Sequence, residues 1–313
     1  MCSSDLTYHL MRQTERNPGL LTPEQAAMVI RGGTIPGLQD RRIHPGWASH
    51  ILAESAAVSK YHSLFLRHHQ TVVSGLWTDV SLTWSGTFSD GDETLAVADI
   101  ATSSPQVPQN VFDFRSEWSR SVFDRPLRFS AVYTYDLSPL AGRLSSRSVA
   151  HWVFSGWKTS GSFEWQSGQP FTVVTGVDSG GSGVTGGWRP NILSQGTLRR
   201  DVASDDLRTF GAVNLFETPR TPSGTPLANS MPAGGNLGRN TFRGPAFLLW
   251  NANISKQLVM TERWKLQLRG DFINFLNHRN FGNPVANMNS AAFGDNSSDP
   301  GVRSVIASLK LQF

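Results

Sequence analysis

The sequence predicts an all-β fold, an antiparallel meander whose strands carry one apolar and one polar face. Three observations predict it. The first is the run Arg303–Phe313. Val305, Ala307, Leu309, Leu311 and Phe313 fall on one side of an extended strand; Ser304, Ser308, Lys310 and Gln312 fall on the other, with Ile306 the exception. The second is composition. Hydrophobic residues make up 39% and charged residues 17%, below the roughly one quarter charged of soluble domains. No stretch nears the ~18–20 consecutive apolar residues of a membrane helix. The third is loop length. Counting back from Phe313, connections alternate long (277–301), short (259–262), long (176–245), short (138–149), long (87–125) and short (72–75). Together these predict the C-terminal part, about seven strands, of a transmembrane outer-membrane β-barrel: apolar toward lipid, polar toward the lumen, aromatic at the membrane edge, with short periplasmic turns and long outer loops.

In chain order, residues 1–6 come first. Met1–Leu6 has neither the charged nor the apolar region of an export signal. Cys2–Leu6 resembles the translation of a sequencing-adapter end, so residues 1–6 are expected to be an assembly artefact, with the gene extending upstream. Residues 7–59 hold Pro18, Pro23, Pro36 and Pro45 and are expected to form a long outer loop. Within it Pro23–Ile30 fits a short helix with Thr22 as N-cap and Pro23 at its first position.

Residues 60–313 are expected to be the barrel segment. Leu64 and Leu66 alternate with polar neighbours up to the turn Val73-Ser74-Gly75. Leu76, Thr78, Val80, Leu82 and Trp84 then oppose Trp77, Asp79, Ser81, Thr83 and Ser85, completing a hairpin. Leu127, Phe129, Ala131, Tyr133, Tyr135 and Leu137 oppose Arg128, Ser130, Thr134 and Asp136. Trp157, Thr159, Gly161, Phe163 and Trp165 oppose Lys158, Ser160, Ser162, Glu164 and Gln166. This strand is expected to kink at Ser167–Pro170, where proline removes a ladder donor, and to resume through Phe171–Val173. Trp250, Ala252 and Ile254 oppose Asn251, Asn253 and Ser255. Trp264, Leu266, Leu268, Gly270 and Phe272 oppose Lys265, Gln267, Arg269 and Asp271.

The candidate functional positions follow from these faces. Trp250, Trp264 and Phe272 are expected to form a lipid-facing girdle, since Trp264 and Phe272 sit at opposite ends of one strand and match the apolar band of a barrel, about 25 Å tall. Lys265, Gln267, Arg269 and Asp271 are expected to line the lumen. Asp79, Glu164, Asp271, Arg128, Lys158, Lys265 and Arg269 are expected to form a lumenal charge network, and Trp77 shares that face. His68 and His69 are adjacent, so on a strand they point to opposite faces. Asp90, Asp92 and Glu93 miss the spacing of a calcium loop, and Gly181-Ser182-Gly183-Val184 is not a nucleophile elbow.

Charge and cysteine content exclude other classes. The net charge of +4 is scattered singly, without a basic run, so no nucleic-acid partner is expected. The single cysteine, Cys2, supports neither a disulfide framework nor a cysteine metal site. No cofactor motif, metal site or catalytic constellation is recognised.

Three blocks resemble the Oar-like TonB-dependent receptors of Acidobacteria and related soil bacteria. They are Gly156–Gly161 through Gln166–Val173; Gly238–Pro245 followed by Trp250–Lys256; and Leu266–His278 followed by Asn280–Pro284, with Ile273-Asn274 where the family usually has Phe-Asn. The resemblance covers roughly residues 60–313. It implies a plugged outer-membrane transporter that takes up a scarce nutrient (siderophore, oligosaccharide and peptide are all open) when TonB pulls on the plug. It also implies partners: outer-membrane lipid, the barrel-assembly machinery reading Leu309, Leu311 and Phe313, and TonB through an N-terminal region not in this sequence. Plugged transporters have about 22 strands, so a segment of about seven is expected not to form a transporter by itself. Two other readings stand beside this one: a secreted β-sandwich with adhesive loops, and an outer-membrane barrel enzyme.

Overall fold

The computed structural model describes residues 2–20, 22–31, 33–34, 36–91, 108–110, 113–141, 149, 155–178, 187–193, 215–219, 235–295 and 301–313. Asp92, Glu93 and the Gly181–Val184 stretch lie outside the described residues. The elements run β1 (Cys2–Glu15), α1 (Pro23–Ile30), α2 (Leu38–Arg41), β2 (Ile51–Val73), β3 (Leu76–Ser89), β4 (Ser119–Arg120), β5 (Leu127–Asp136), α3 (Ser138–Ala141), β6 (Trp157–Gln166), β7 (Pro170–Phe171), β8 (Asn191–Ile192), β9 (Phe216–Glu217), β10 (Phe242–Arg243), β11 (Phe247–Val259), β12 (Lys265–Ile273) and β13 (Ser304–Gln312).

One nine-stranded sheet dominates, ordered β1-β2-β3-β5-β6-β11-β12-β13 with β4 alongside β3. Every pairing in it is antiparallel. Two two-stranded ribbons, β10-β7 and β8-β9, lie apart from it. β1 and β13 each have a single neighbour, so the sheet is open at both edges among the described residues.

Register keeps the apolar faces together across the sheet. Leu268 pairs with Leu309, Leu266 with Leu311, and Phe272 with Val305. Ala252 pairs with Phe272, Trp250 with Phe163, Phe129 with Trp165, and Leu82 with Phe129. A slip of one residue would invert a whole strand, so the alternation in sequence and the pairing in space confirm each other. The β2–β3 turn is tight because Ser74 (φ 51°) and Gly75 (φ 86°) both take the positive φ of a type I′ hairpin.

The long and short connections segregate as the sequence predicts. Residues 74–75, 137–156 and 260–264 join strands at one end; 90–126, 167–246 and 274–303 join them at the other. The connection 16–50 adds a fourth long loop to the second group.

The structure departs from the sequence reading, or adds to it, in three places. Residues 7–59 are not all loop. β1 occupies Cys2–Glu15 and pairs with a β2 that begins at Ile51. Their alternation does not announce a strand: Leu6 pairs with Tyr61 on the polar face, and a bulge follows between Leu10 and Arg12. Pairing to the β2 edge, not side-chain patterning, makes this segment extended. α1 spans Pro23–Ile30 as expected, and Thr22 and Gln25 exchange side-chain to backbone bonds at 3.3 and 2.9 Å, a capping box.

The fourth predicted strand does not resume after its kink. β6 stops at Gln166, and β7 leaves the wall to pair with β10. The connection 167–246 is also not featureless. It carries β7, β8, β9 and β10 and the largest apolar cluster among the described residues: Phe171, Val173, Phe216, Leu237 and Phe242, all buried. Burying each such side chain contributes about 1.5–3 kcal/mol, enough to order loop segments that short ribbons cannot order alone.

Candidate functional site: the inner wall and its loop hub

The two faces of the sheet are told apart by what covers them. Ala57, Ser59 and Ser89 lie on the polar face and are buried. Arg239, from the long connection 167–246, bonds the Ser89 carbonyl and lies 3.4 Å from its hydroxyl. Arg12, on the same face, stacks 3.6 Å from the Phe114 ring centroid. The long loops therefore fold over the polar face at one end, and this covered face is the inner one. The opposite face keeps large apolar groups in the open: Trp84 is 65% exposed, Leu309 66% and Phe313 90%. So wide an apolar surface suits lipid rather than water.

The outward face carries the expected girdle residues. Trp250 packs on Phe163 (6.5 Å) and Phe275 (4.9 Å). Phe272 meets Phe275 edge-on at 5.6 Å. At the short-turn end Trp264 lies 5.4 Å from Phe313. Lys256 shares this face but sits over the Trp157 ring at 5.3 Å, its stem along apolar surface and its charge near the rim. Leu309, Leu311 and Phe313 line the outward face of β13.

The inner wall is polar and locally paired. Asp79 accepts both ends of the Arg67 guanidinium, Nε at 2.9 Å. His69 Nδ1 lies 3.5 Å from Asp79, and its ring meets Trp77 edge-on at 5.9 Å. His68 pairs with Val80 on the other face. Ser81 and Ser130 hydroxyls are 2.8 Å apart, and Asn253 Nδ2 donates to Ser160 Oγ at 2.6 Å. Lys158 reaches Asp136 at 3.5 Å, and Arg269 reaches Asp271 at 2.6 Å. The expected network of charges is thus a set of local pairs. Glu164, Arg128 and Lys265 form no ion pair among the described residues; Arg128 Nε donates to Gln166 Oε1 at 3.2 Å instead. Gln267 completes the lumenal set, paired with Gln257 and Lys310.

At the outer end the loops build a hub that periodicity does not reveal. Glu117 and Arg189 are both buried, joined by bonds of 2.9 and 2.8 Å. Arg239 Nε donates to the Glu117 carbonyl at 2.9 Å. Buried Asp124 accepts Arg243 Nη2 at 2.7 Å and Arg120 Nη1 at 3.1 Å. Asn240, at φ 50°, donates to the Arg120 carbonyl at 2.7 Å and exchanges bonds with Thr172. Below them Phe242 stacks on Phe171 at 5.7 Å and meets Phe216 edge-on at 5.8 Å.

A second anchor follows β12. Asn274 (φ 53°) donates its side-chain amide to the His278 and Gly301 carbonyls at 2.9 and 3.1 Å and accepts the His278 N–H at 3.0 Å. Asn277 (φ 52°) accepts the Arg303 N–H at 3.0 Å. Asparagine tolerates positive φ and mimics backbone groups, so these two residues turn the chain out of β12 and hold the entry to β13. The three sequence blocks singled out above therefore join wall strands, in β6, β11 and β12, to the loop anchors beside them.

The sequence matches the family described as an outer membrane beta barrel domain over residues 5–305. The chain belongs to that family. This barrel protein is accordingly an outer-membrane protein. Among solved structures it is similar to the outer membrane transporter YddB from Escherichia coli, at 10% identity and a TM-score of 0.41, over 99% of this chain and 29% of that one. The chain thus spans less than a third of that transporter's length. No curated protein matches the sequence. Family membership also removes the β-sandwich alternative, which needs two large sheets packed face to face; the described strands form one large sheet and two ribbons.

Proposed function

We propose that this chain is barrel wall from a TonB-dependent receptor of the Oar-like type, which takes up a nutrient across the outer membrane. On this reading the protein transports and does not catalyse. The observation that carries the reading is the inner wall: polar, ion-paired across strands and, among the described residues, roofed by loops at its long-loop end. A wall of this kind needs a polar filling, because hydroxyls, amides and charges facing an apolar interior would go unsatisfied. A plug domain supplies one. The three sequence blocks support the Oar-like assignment. The open edges at β1 and β13 support a larger barrel, since each unpaired backbone group in lipid costs several kcal/mol.

Photocrosslinking in the intact receptor tests it. A photoreactive side chain at Ser81 or Ser130, in receptor extracted from its own outer membrane, is expected to capture a globular segment of the same polypeptide upstream of this barrel. It is expected to do so less efficiently when the TonB system is energised. Crosslinking to nothing, or to lipid alone, rules out the plugged receptor.

A further inference from the structure

At the outer rim of the inner wall, Arg120, Arg125, Arg128 and Arg243 gather around Asp124. This carboxylate is fully occupied. One oxygen accepts Arg243 Nη2 (2.7 Å) and Arg120 Nη1 (3.1 Å), and the other accepts the Thr87 N–H at 2.8 Å. Arg125 is half-buried beside it. Its Nη1 donates to the Val122 and Asp124 carbonyls at 2.8 and 3.0 Å, which are neutral partners. Arg128 is exposed on the inner register of β5, between Thr83 and Gln166. Its hydrogen-bond partner, Gln166, is also neutral. Among the described residues neither Arg125 nor Arg128 makes an ion pair. Glu164 stands on the inner face of β6, opposite Ser130. Even with Glu164 counted beside Asp124, four arginines face two carboxylates.

The surplus charge is felt locally. Burial first, then repulsion from Arg128 and Arg243, lowers the Arg125 pKa below its ordinary value, and Asp124 only partly opposes this. A bound anion would relieve that repulsion. Guanidinium groups match carboxylate and phosphate oxygens in planar, two-point fashion. A cationic rim at the entrance of a cleft also draws anions in from solution.

We propose that this rim binds an anionic group, a carboxylate or a phosphate, on the molecule taken up, with Arg125 and Arg128 as the contacting residues. Arg243 and Arg120, locked on Asp124, add to the field. The inference rests on the uptake-receptor reading and adds the charge class of the cargo to it.

The test uses the whole receptor in detergent, with calorimetric titration of citrate, pyrophosphate and, as neutral control, maltotriose. One of the two anions is expected to bind, more weakly as salt rises, and which one binds separates carboxylate from phosphate. Arg125→Gln and Arg128→Gln are each expected to weaken it about tenfold, the scale of one lost charge-assisted bond. Glu164→Gln is expected to tighten it, which keeps the test alive if an arginine variant fails to fold. Equal binding of maltotriose overturns the proposal. So does anion binding indifferent to all three substitutions, or no anion binding by receptor that still shows a heat-modifiable folded band. The Ser81 crosslink in the same preparation separates the two ideas. A plug crosslink without anion binding defeats this inference alone, and loss of the crosslink defeats the receptor reading.

Discussion

Arg189 donates from Nη1 to both carboxylate oxygens of Glu117, at 2.9 and 2.8 Å, with both side chains withdrawn from water. The pair joins two different long loops, since Glu117 precedes β5 and Arg189 follows β6. Arg239 reaches the same site, its Nε 3.8 Å from the Glu117 carboxylate. Replacing Glu117 with Gln leaves a buried guanidinium without its counter-charge, an expected loss of about 3–5 kcal/mol for the loop hub. Limited proteolysis of the folded protein should show new cleavage in the segments 108–124 and 187–193 while the strands stay protected. Unchanged protease resistance would mean that the pair is not what holds the loops together.

Phe242 carries the apolar half of the same hub. It is 1% exposed, with Phe171 and Phe216 against it. Phe242→Ala removes both ring contacts and opens a cavity, at an expected cost of about 3–5 kcal/mol. Hydrogen exchange should accelerate in 170–174, 215–217 and 237–243, and not in β12. A uniform increase across the wall would show that hub and wall unfold as one unit.

Glu54 gives the outer extension of the β1–β2 hairpin a pH dependence. It lies at the long-loop end of β2, beyond the part of the strand that meets β3. The Thr14 hydroxyl, at 2.6 Å, and then Arg16 and Arg12 hold its carboxyl below the ordinary value. A carboxyl with a lowered folded-state pKa contributes stability that is fully present above its unfolded value of 4.5 and is lost as pH falls through the folded value. Protection of residues 12–16 and 51–54 against hydrogen exchange, corrected for the intrinsic pH dependence of amide exchange, should therefore fall below pH 4.5 and stay level above it. Glu54→Gln should flatten the profile. An unchanged profile in that variant would assign the effect to another group.

Trp264 and Phe313 tie β12 to β13 at the short-turn edge, with ring centroids 5.4 Å apart and planes tilted 33°. Aromatic pairs contribute about 0.5–1.5 kcal/mol beyond area burial. A double-mutant cycle with Trp264→Ala and Phe313→Ala, read by urea unfolding of the protein in bilayers, should return a coupling of that size. Strict additivity would reduce both rings to independent contacts with lipid.

The wall was legible in the sequence because a membrane strand must satisfy two solvents at once. Val305, Leu309 and Leu311 face one way and Lys310 and Gln312 the other, and no other arrangement puts each in a tolerable medium. The hub was not legible. Glu117 and Arg189 are 72 residues apart, and nothing periodic links them. The block around Asn240 carried a signal as a motif, but its meaning, a glycine-bounded turn that sends Arg239 and Arg243 to different acceptors, needs the fold. β1 was missed because its alternation does not match its face. Pro170 marked a real departure from the wall, yet its destination on β10 depends on a partner about seventy residues downstream.

The sequence by itself determined the order of the wall strands from β2 to β13, their two faces and the segregation of long from short loops, because each follows from period-two alternation and chain connectivity. Only the tertiary structure decided which face the loops cover, which charges find partners and which remain unpaired at the rim. Those outcomes depend on distances between side chains far apart in the chain, and local patterning carries no record of them.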